Sequence, residues 1–366
     1  MKNKSRRSFL VAGAAAVATP FLSTRATRAL AEASRPRLGF AICGLGGLST
    51  HQIAPALQKT RLCRLAGIVT DSPAKAADWQ ARYGIPERNV YSYDTMDRMS
   101  DNPDIDVVYI VTPNALHAEQ TLRSAKAGKH VFCEKPMAVS VEECARMIEA
   151  CKAARRMLGV AYRCQFEPHN LECMRLARDK VFGDVRIVEA AFGVRNDNPN
   201  EWRLKRALSG GGALMDVGIY ALQATRYLTG EEPILVSGIE AKTDPVRFAE
   251  VDESVVWTSR FPSGVVATCS TSYNSALVSN FRVYADQGWF GLDPAFFYDG
   301  IAGRRSDGKE IHFPPIDHFA AEMDDFSRCI VEGRPSRVSG EEGMRDIRVL
   351  MAIYESIRSG SAVKLA

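Results

Sequence analysis

Asp216 and Tyr220 stand four residues apart in a glycine-led run, Ser209-Gly210-Gly211-Gly212-Ala213-Leu214-Met215-Asp216-Val217-Gly218-Ile219-Tyr220. The glycines mark a loop feeding a helix, and a four-residue spacing puts the two side chains on one helix face. A tyrosine so placed can take the proton from an alcohol as the alcohol is oxidised. A free phenol, with a pKa of about 10, is a poor base at neutral pH. A neighbouring ammonium would stabilise the phenolate and lower that pKa. Cys133-Glu134-Lys135-Pro136 follows a short apolar run and supplies the ammonium, Lys135. Lys135, Asp216 and Tyr220 are therefore the catalytic candidates, with Asp216 holding substrate hydroxyls.

Oxidation also needs a hydride acceptor, and the sequence offers a place for one. Gly44-Leu45-Gly46-Gly47-Leu48-Ser49 lies at an expected strand-to-helix turn. Gly44 permits the tight turn, and Gly46 lets the backbone approach a pyrophosphate at the helix N-terminus. The third position of the fingerprint is Ser49, a small residue that still fits. About 20 residues on, at the end of the second strand, comes Val69-Thr70-Asp71-Ser72-Pro73-Ala74-Lys75. Thr70, Ser72 and Lys75 could receive a ribose 2′-phosphate, whereas Asp71 pointing inward would hold a free 2′-hydroxyl and favour NAD. The reading leans to NADP. Thr112, Pro113, Asn114 and His117 follow the next buried strand, at the carboxyl edge where the nicotinamide half would lie.

These residues need a parallel sheet to position them. Strands are expected at 38–43, 62–69, 107–111 and 130–133, alternating with helices that include 73–83. Short apolar runs between amphipathic helices predict a doubly wound α/β Rossmann domain, here 32–161. The second half reads as an α+β domain with a mainly antiparallel open sheet, 162–366. Its strands are expected near 187–194, 234–241, 254–261, 265–272 and 281–285. Pro262-Ser263-Gly264 reads as a hairpin turn, and the closing helices, near 317–331 and 341–358, could pack back on the first domain.

The chain has 366 residues, 46% hydrophobic and 25% charged, which fits a soluble two-domain protein. Its net charge is +4, but Lys2, Lys4, Arg6, Arg7, Arg25 and Arg28 carry that surplus. No basic run remains to suggest nucleic acid. Those residues belong to an expected twin-arginine signal peptide, 1–31. Ser5-Arg6-Arg7-Ser8-Phe9-Leu10 opens an apolar run to Leu22, and Ala29-Leu30-Ala31 offers a cleavage site. The run is short for a membrane anchor. The expected location is periplasmic, with the twin-arginine machinery as export partner. The nine cysteines contain no C-x-x-C, and buried free thiols are expected, with no metal site.

Taken together, Gly44-Leu45-Gly46, Glu134-Lys135-Pro136, Tyr162-Arg163-Cys164, Glu201-Trp202-Arg203-Leu204, the 210–220 run and Gly340-Glu341-Glu342-Gly343-Met344 resemble the glucose–fructose oxidoreductase branch of the Gfo/Idh/MocA family. The resemblance spans about 39–363. It implies that Lys135, Asp216 and Tyr220 are catalytic, Tyr standing where many relatives carry His. It implies that Gly44, Leu45, Gly46, Gly47, Leu48, Tyr93, Glu134 and Arg163 join the cofactor site, and that Trp202 and Arg203 join the substrate site. It further implies tightly bound NADP, an aldose oxidised at C1 to its lactone, and a second sugar that reoxidises the cofactor. The best-known branch members carry a Pro-rich arm before the first strand; here only about seven residues, Glu32 to Leu38, separate the expected cleavage site from the first strand. A one-way aldose dehydrogenase or 1,5-anhydrofructose-type reductase with exchangeable NADP(H) is the rival reading, and a non-catalytic sugar-binding protein a further one. A homodimer through the open sheet is expected from fold analogy.

Overall fold

Alternating buried strands and helices give the first half a six-stranded parallel sheet, seen in a computed structural model that describes residues 37–365. The expected signal peptide and its cleavage near Ala31 lie outside the described residues. The strands are β1 (Leu38–Cys43), β2 (Cys63–Val69), β3 (Val90–Tyr91), β4 (Val107–Ile110), β5 (His130–Glu134) and β6 (Leu158–Ala161). Their order is β3-β2-β1-β4-β5-β6, and every pairing is parallel. The strands are apolar because both faces are covered: β4 and β6 are buried throughout. The order reverses between β1 and β4. At such a point neighbouring loops leave in opposite directions and open a crevice at the carboxyl edge.

Helix α1 (Pro73–Tyr83) shows why the local sequence folds as it does. Ser72 caps it by accepting from the Lys75 N–H, Pro73 sits in its first turn, and Gly84 ends it with φ +65°.

The second sheet has nine strands. They are β7 (Val185–Arg195), β8 (Leu235–Ala241), β9 (Ser254–Arg260), β10 (Val266–Ser272), β11 (Asn274–Ala285), β12 (Gly288–Leu292), β13 (Gly303–Arg305), β14 (Glu310–Ile311) and β15 (Val363–Lys364). The order is β14-β13-β12-β11-β7-β10-β9-β8-β15, antiparallel except where β10 runs parallel to β7. Strand β11 starts at Asn274, well before the expected 281. Along β9 burial alternates strictly, the mark of a sheet covered on one face. Ile239, Val256, Val266 and Ile187 point from the other face to solvent.

Helix α2 (Ile219–Thr229) packs on the second sheet, α3 (His318–Glu332) on the first, and α4 (Gly340–Ser359) on both. The Phe326 ring of α3 stacks on Phe132 of β5 at 4.8 Å. An added Cβ at Gly159 would come within 2.7 Å of that ring, so β6 needs glycine there. The Val160 N–H donates to the Val338 carbonyl at 2.7 Å. All nine cysteines are free and buried. Among the described residues no helix is long and apolar enough to cross a membrane, and no cluster could hold a metal ion.

Helices α2 and α4 are locked together by one buried cation. Arg226 is 3% exposed and pairs with Asp346 at 2.5 Å, Glu232 at 2.6 Å and Glu342 at 2.8 Å. Asp346, wholly buried, also accepts from Gln223 at 2.7 Å. Removing the cation leaves two carboxylates uncompensated in a low-dielectric interior. Arg226→Leu is expected to cost about 3–5 kcal/mol of stability, read by urea denaturation. A loss under about 1 kcal/mol would show that the pair is not holding the helices.

Candidate active site

The glycine loop after β1 forms one wall of a cleft of about 1470 Å³. Gly44 takes φ +99°, and a Cβ there would press on Thr112 and the Val111 carbonyl at 2.8 Å. Gly46 and Gly47 differ: an added Cβ would meet nothing within 4 Å. They border open space, the condition for a pyrophosphate to approach the backbone. Ser49 is buried and donates its hydroxyl to the Gly44 carbonyl at 2.5 Å, closing the turn. A small donor at the third fingerprint position thus replaces glycine without filling the cradle. The helical segment that follows opens with a π turn, Ser49–Ile53.

Gly44, Leu45, Gly46, Gly47, Leu48, Thr70, Lys75, Tyr93, Thr112, Pro113, Asn114, Glu134, Lys135 and Arg163 all line this cleft. The Lys75 ammonium reaches over the glycine loop to the Leu45 carbonyl at 2.9 Å. Asp71 turns away and accepts from the Tyr93 N–H at 2.9 Å. Burial pushes the Tyr93 phenol up to about 12. Asn114 ties the cofactor side to the second half of the chain by donating to the Ser209 carbonyl at 2.8 Å.

Two expected cofactor residues do not reach the cleft. Ser72 points into the first turn of α1, where its hydroxyl oxygen caps the helix. His117 is wholly buried, with Nδ1 3.0 Å from the Pro136 carbonyl and Nε2 2.9 Å from the Thr112 carbonyl. Burial pushes its pKa down, so the ring stays neutral and its one N–H donates to one of the two carbonyls it packs between. Both corrections have one cause: a loop position in sequence does not say which way a side chain turns.

At the inner end of the cleft the catalytic candidates converge. Lys135 Nζ donates to the Asp216 carboxylate at 2.9 Å and to the Asp216 backbone carbonyl at 2.7 Å. The other Asp216 oxygen receives Arg203 Nε at 3.0 Å and the Tyr273 hydroxyl at 2.7 Å. Burial alone would raise the Asp216 pKa. Lys135 and Arg203 outweigh it and hold the carboxyl well below the usual range. The carboxylate's stabilising effect is complete above the unfolded value of about 3.9 and fades only in strong acid. Asp216 sits in a π turn, Leu214–Gly218, that runs into α2, so Tyr220 follows on the same side. The turn is anchored by Asp252, which accepts from the Gly212 N–H at 2.6 Å and the Leu214 N–H at 2.7 Å. A Cβ at Gly212 would collide with the Asp252 carbonyl, so this glycine permits close packing rather than phosphate binding.

Tyr220 departs from expectation in one respect. Burial pushes its pKa up, and the cation that opposes this is Arg163. Lys135 Nζ lies 5.0 Å from the Tyr220 ring centroid but is hydrogen-bonded to Asp216. The Arg163 guanidinium is 4% exposed and sits 4.8 Å from the ring centroids of both Tyr220 and Tyr298. Its terminal nitrogens donate to the Phe296 and Phe297 carbonyls. Tyr220 is therefore a neutral phenol, a proton donor rather than a ready base.

The substrate candidates line the same space. Arg203 stacks on Trp202 at 4.5 Å and pairs with Glu201 at 2.9 Å. Tyr273, Tyr298, Phe192, Phe296 and Phe297 complete the site and were not singled out from sequence. Tyr273 had a signal: Ala267, Cys269 and Thr271 are buried at a spacing of two, and Tyr273 continues that phase past the end of β10.

The role of His117 can be separated from cofactor binding. His117→Ala should lower stability by about 2–3 kcal/mol, measured by chemical denaturation. Cofactor affinity of the folded protein should change less than about two-fold by calorimetry. A large affinity loss at normal stability would reinstate a binding role.

Comparison with known proteins agrees with this geometry. The profile "Oxidoreductase family, NAD-binding Rossmann fold" matches residues 38–162. "GFO/IDH/MocA C-terminal domain" matches 171–291, and "Oxidoreductase family, C-terminal alpha/beta domain" matches 310–365. The chain is similar to D-xylose 1-dehydrogenase [NADP(+)] of Haloarcula marismortui, 34% identical over 340 residues, covering 89% of this chain and 92% of that one. The crystal structure of aldose-aldose oxidoreductase from Caulobacter crescentus complexed with glycerol is 46% identical. It has a TM-score of 0.87 and covers 90% of this chain and 100% of that one. Levoglucosan dehydrogenase, in complex with NADH and levoglucosan, shares the fold at 24% identity and a TM-score of 0.80. Sheet order, glycine cradle and sequence similarity over nearly all described residues agree: the chain belongs to the Gfo/Idh/MocA family of oxidoreductases.

Proposed function

We propose that the protein is an NADP-dependent sugar oxidoreductase that oxidises an aldose at C1 to its lactone and reduces a second sugar to an alditol without releasing the cofactor. The observation that carries this reading is the convergence of Lys135, Asp216 and Tyr220 at the end of a dinucleotide-shaped cleft. The names of two similar proteins, an NADP(+) xylose dehydrogenase and an aldose–aldose oxidoreductase, support the substrate class. Lys75 and Thr70 in the cleft wall, with Asp71 turned to Tyr93, support a 2′-phosphate over a bare ribose hydroxyl.

When bound, the nicotinamide supplies the acceptor and donor of hydride. The chain's own residues handle the proton. As a neutral phenol, Tyr220 can give its proton to the oxygen of a sugar carbonyl during reduction. Oxidation needs the phenolate, which Arg163 beside the ring stabilises against burial. Lys135, fixed by Asp216, also offers donors to a sugar oxygen. Trp202 presents a flat apolar face at the wall, with Arg203 stacked on it. Phe192 and Phe296 flank the Tyr220 ring at 5.4 and 5.9 Å and give this end of the cleft an apolar wall.

The same reading covers the setting. We propose export by the twin-arginine route with NADP already loaded, which suits an enzyme that regenerates its cofactor with a second sugar. The open face of the second sheet, with Ile239, Val256, Val266 and Ile187 exposed, supports a homodimer. A one-way dehydrogenase with exchangeable NADP is the alternative that the xylose dehydrogenase similarity favours.

Two measurements decide. The purified protein, given glucose or xylose and no added cofactor, is expected to develop the absorbance of reduced nicotinamide. A second sugar should then bleach it. An absolute need for added NADP would overturn retention and leave the one-way dehydrogenase. Tyr220→Phe is expected to lower turnover by about 10²–10⁴-fold while cofactor binding, followed by fluorescence quenching, persists. Unchanged turnover would overturn the assignment of Tyr220 as proton carrier.

A further inference from the structure

Glu322 on α3 is fully buried, and neither of its carboxyl oxygens has a hydrogen-bond partner. It is a charged residue type in an apolar interior, directly behind the active site. The groups that face it come from four parts of the fold. Glu134 ends β5 and Tyr109 lies on β4. Arg163 and Cys164 lie in the turn after β6, and Asp317 caps α3 itself. The Tyr109 hydroxyl donates to Glu134 at 2.8 Å, and the Lys135 N–H donates to the other Glu134 oxygen at 3.2 Å. Glu134 therefore accepts two hydrogen bonds suited to a carboxylate, whereas Glu322 accepts none of hydrogen-bond geometry and has beside it only the Tyr109 hydroxyl, already given to Glu134.

Charge balance gives the same assignment. The cluster behind Tyr220 contains two carboxyl groups, Glu134 and Glu322; of the two cations that face it, Lys135 is already hydrogen-bonded to Asp216, which leaves Arg163. Arg163 Nε has no partner, and its terminal nitrogens go to the Phe296 and Phe297 carbonyls, so no bidentate pair with Glu322 exists. An unpaired, desolvated carboxylate is far more costly than a neutral acid. One proton must remain in the pair, and the donors place the charge on Glu134.

We propose that Glu322 is a positioning residue of the active site: a buried neutral acid that leaves the Arg163 charge undivided for Glu134 and Tyr220. Burial, reinforced by Glu134 and opposed by Arg163, pushes the Glu322 pKa up, consistent with this assignment. Ionised, Glu322 would draw on the field of Arg163 and make the Tyr220 phenolate harder to form. The choice of an acid over an amide makes the site's charge respond to pH. The link to activity rests on the reading of Tyr220 as proton carrier; the link to stability does not.

The test compares wild type with Glu322→Gln, an isostere of the neutral acid, in the full chain. A carboxyl protonated in the folded state and ionised in the unfolded one has a raised folded pKa, so wild-type stability falls as pH rises above the unfolded value of about 4.3. Relative to the variant, the wild-type folded-to-unfolded ratio should fall about ten-fold per pH unit from about pH 5 towards neutrality. A constant ratio over that range would mean that Glu322 is ionised and would overturn the proposal. In alkaline solution the oxidation half-reaction should rise with pH more steeply in Glu322→Gln, the rate ratio reaching roughly ten-fold, the effect of one unit on the phenol. Parallel profiles with a sloping stability ratio would overturn the positioning role. If Tyr220→Phe had left turnover unchanged, that result would remove the proton-carrier reading and leave the stability arm standing. Should the variant not fold, infrared spectra of the wild type at neutral pH should show a protonated-carboxyl band that persists in Glu134→Gln. Absence of the band in both would contradict the inference.

Discussion

The pairing of Lys135 with Asp216 is the constraint on which the site depends. Lys135 leaves the carboxyl end of β5, and Asp216 belongs to the π turn that begins α2. Their 2.9 Å contact fixes a parallel-sheet edge against an element of the second half. Removing Asp216 leaves Lys135 without its hydrogen-bonded anion at a largely buried position, and removing Lys135 leaves Asp216 with Arg203 as its one ion-pair partner. Arg203 and Tyr273 complete the coordination of Asp216, so the carboxylate stays ionised and its geometry is fixed from three directions. Tyr220 takes its place from the same turn. Tyr220 is thus positioned by an ion pair one helical turn away, and the cation that acts on its phenol is a different one, Arg163.

This separation of roles makes physical sense. A lysine asked both to anchor Asp216 and to ionise the tyrosine would have its charge divided. Here the anchoring charge and the tuning charge are separate groups. Arg163 is held by backbone carbonyls of the 296–297 segment, which leaves its planar face for the rings of Tyr220 and Tyr298.

Much of the scaffold was legible in the sequence because its physics is local. Strands β1, β4 and β5, and β2 from Ala66 on, are buried on both faces and therefore read as apolar runs ended by glycine or polar residues. The two-residue strands β3, β14 and β15 were not legible, since two residues carry no period. The first half of β11 was missed because Asn274 to Leu277 is polar or exposed and lacks an inward face. In the site, spacing alone put Asp216 and Tyr220 together, and the strand-end position of Lys135 put it at the same edge. What spacing cannot give is direction. Ser72 caps its helix, His117 turns inward, and Tyr298 and Glu322 meet the site only through folding of distant segments. That Lys135 bonds Asp216 and that Arg163 opposes the burial of Tyr220 were not legible for the same reason, since both are long-range contacts.

Central to the proposed chemistry is one sugar hydroxyl or carbonyl received between Tyr220 and Lys135 at the end of the dinucleotide cleft. The most direct test is a crystal structure of Tyr220→Phe soaked with NADP and an aldose that cannot turn over. The sugar C1 oxygen is expected within hydrogen-bond reach of Lys135 Nζ and beside the edge of the substituted ring, where the hydroxyl had been, with C1 facing the nicotinamide. A sugar seated with C1 directed away from this pair, or lodged outside the Trp202–Arg203 wall, would contradict the account.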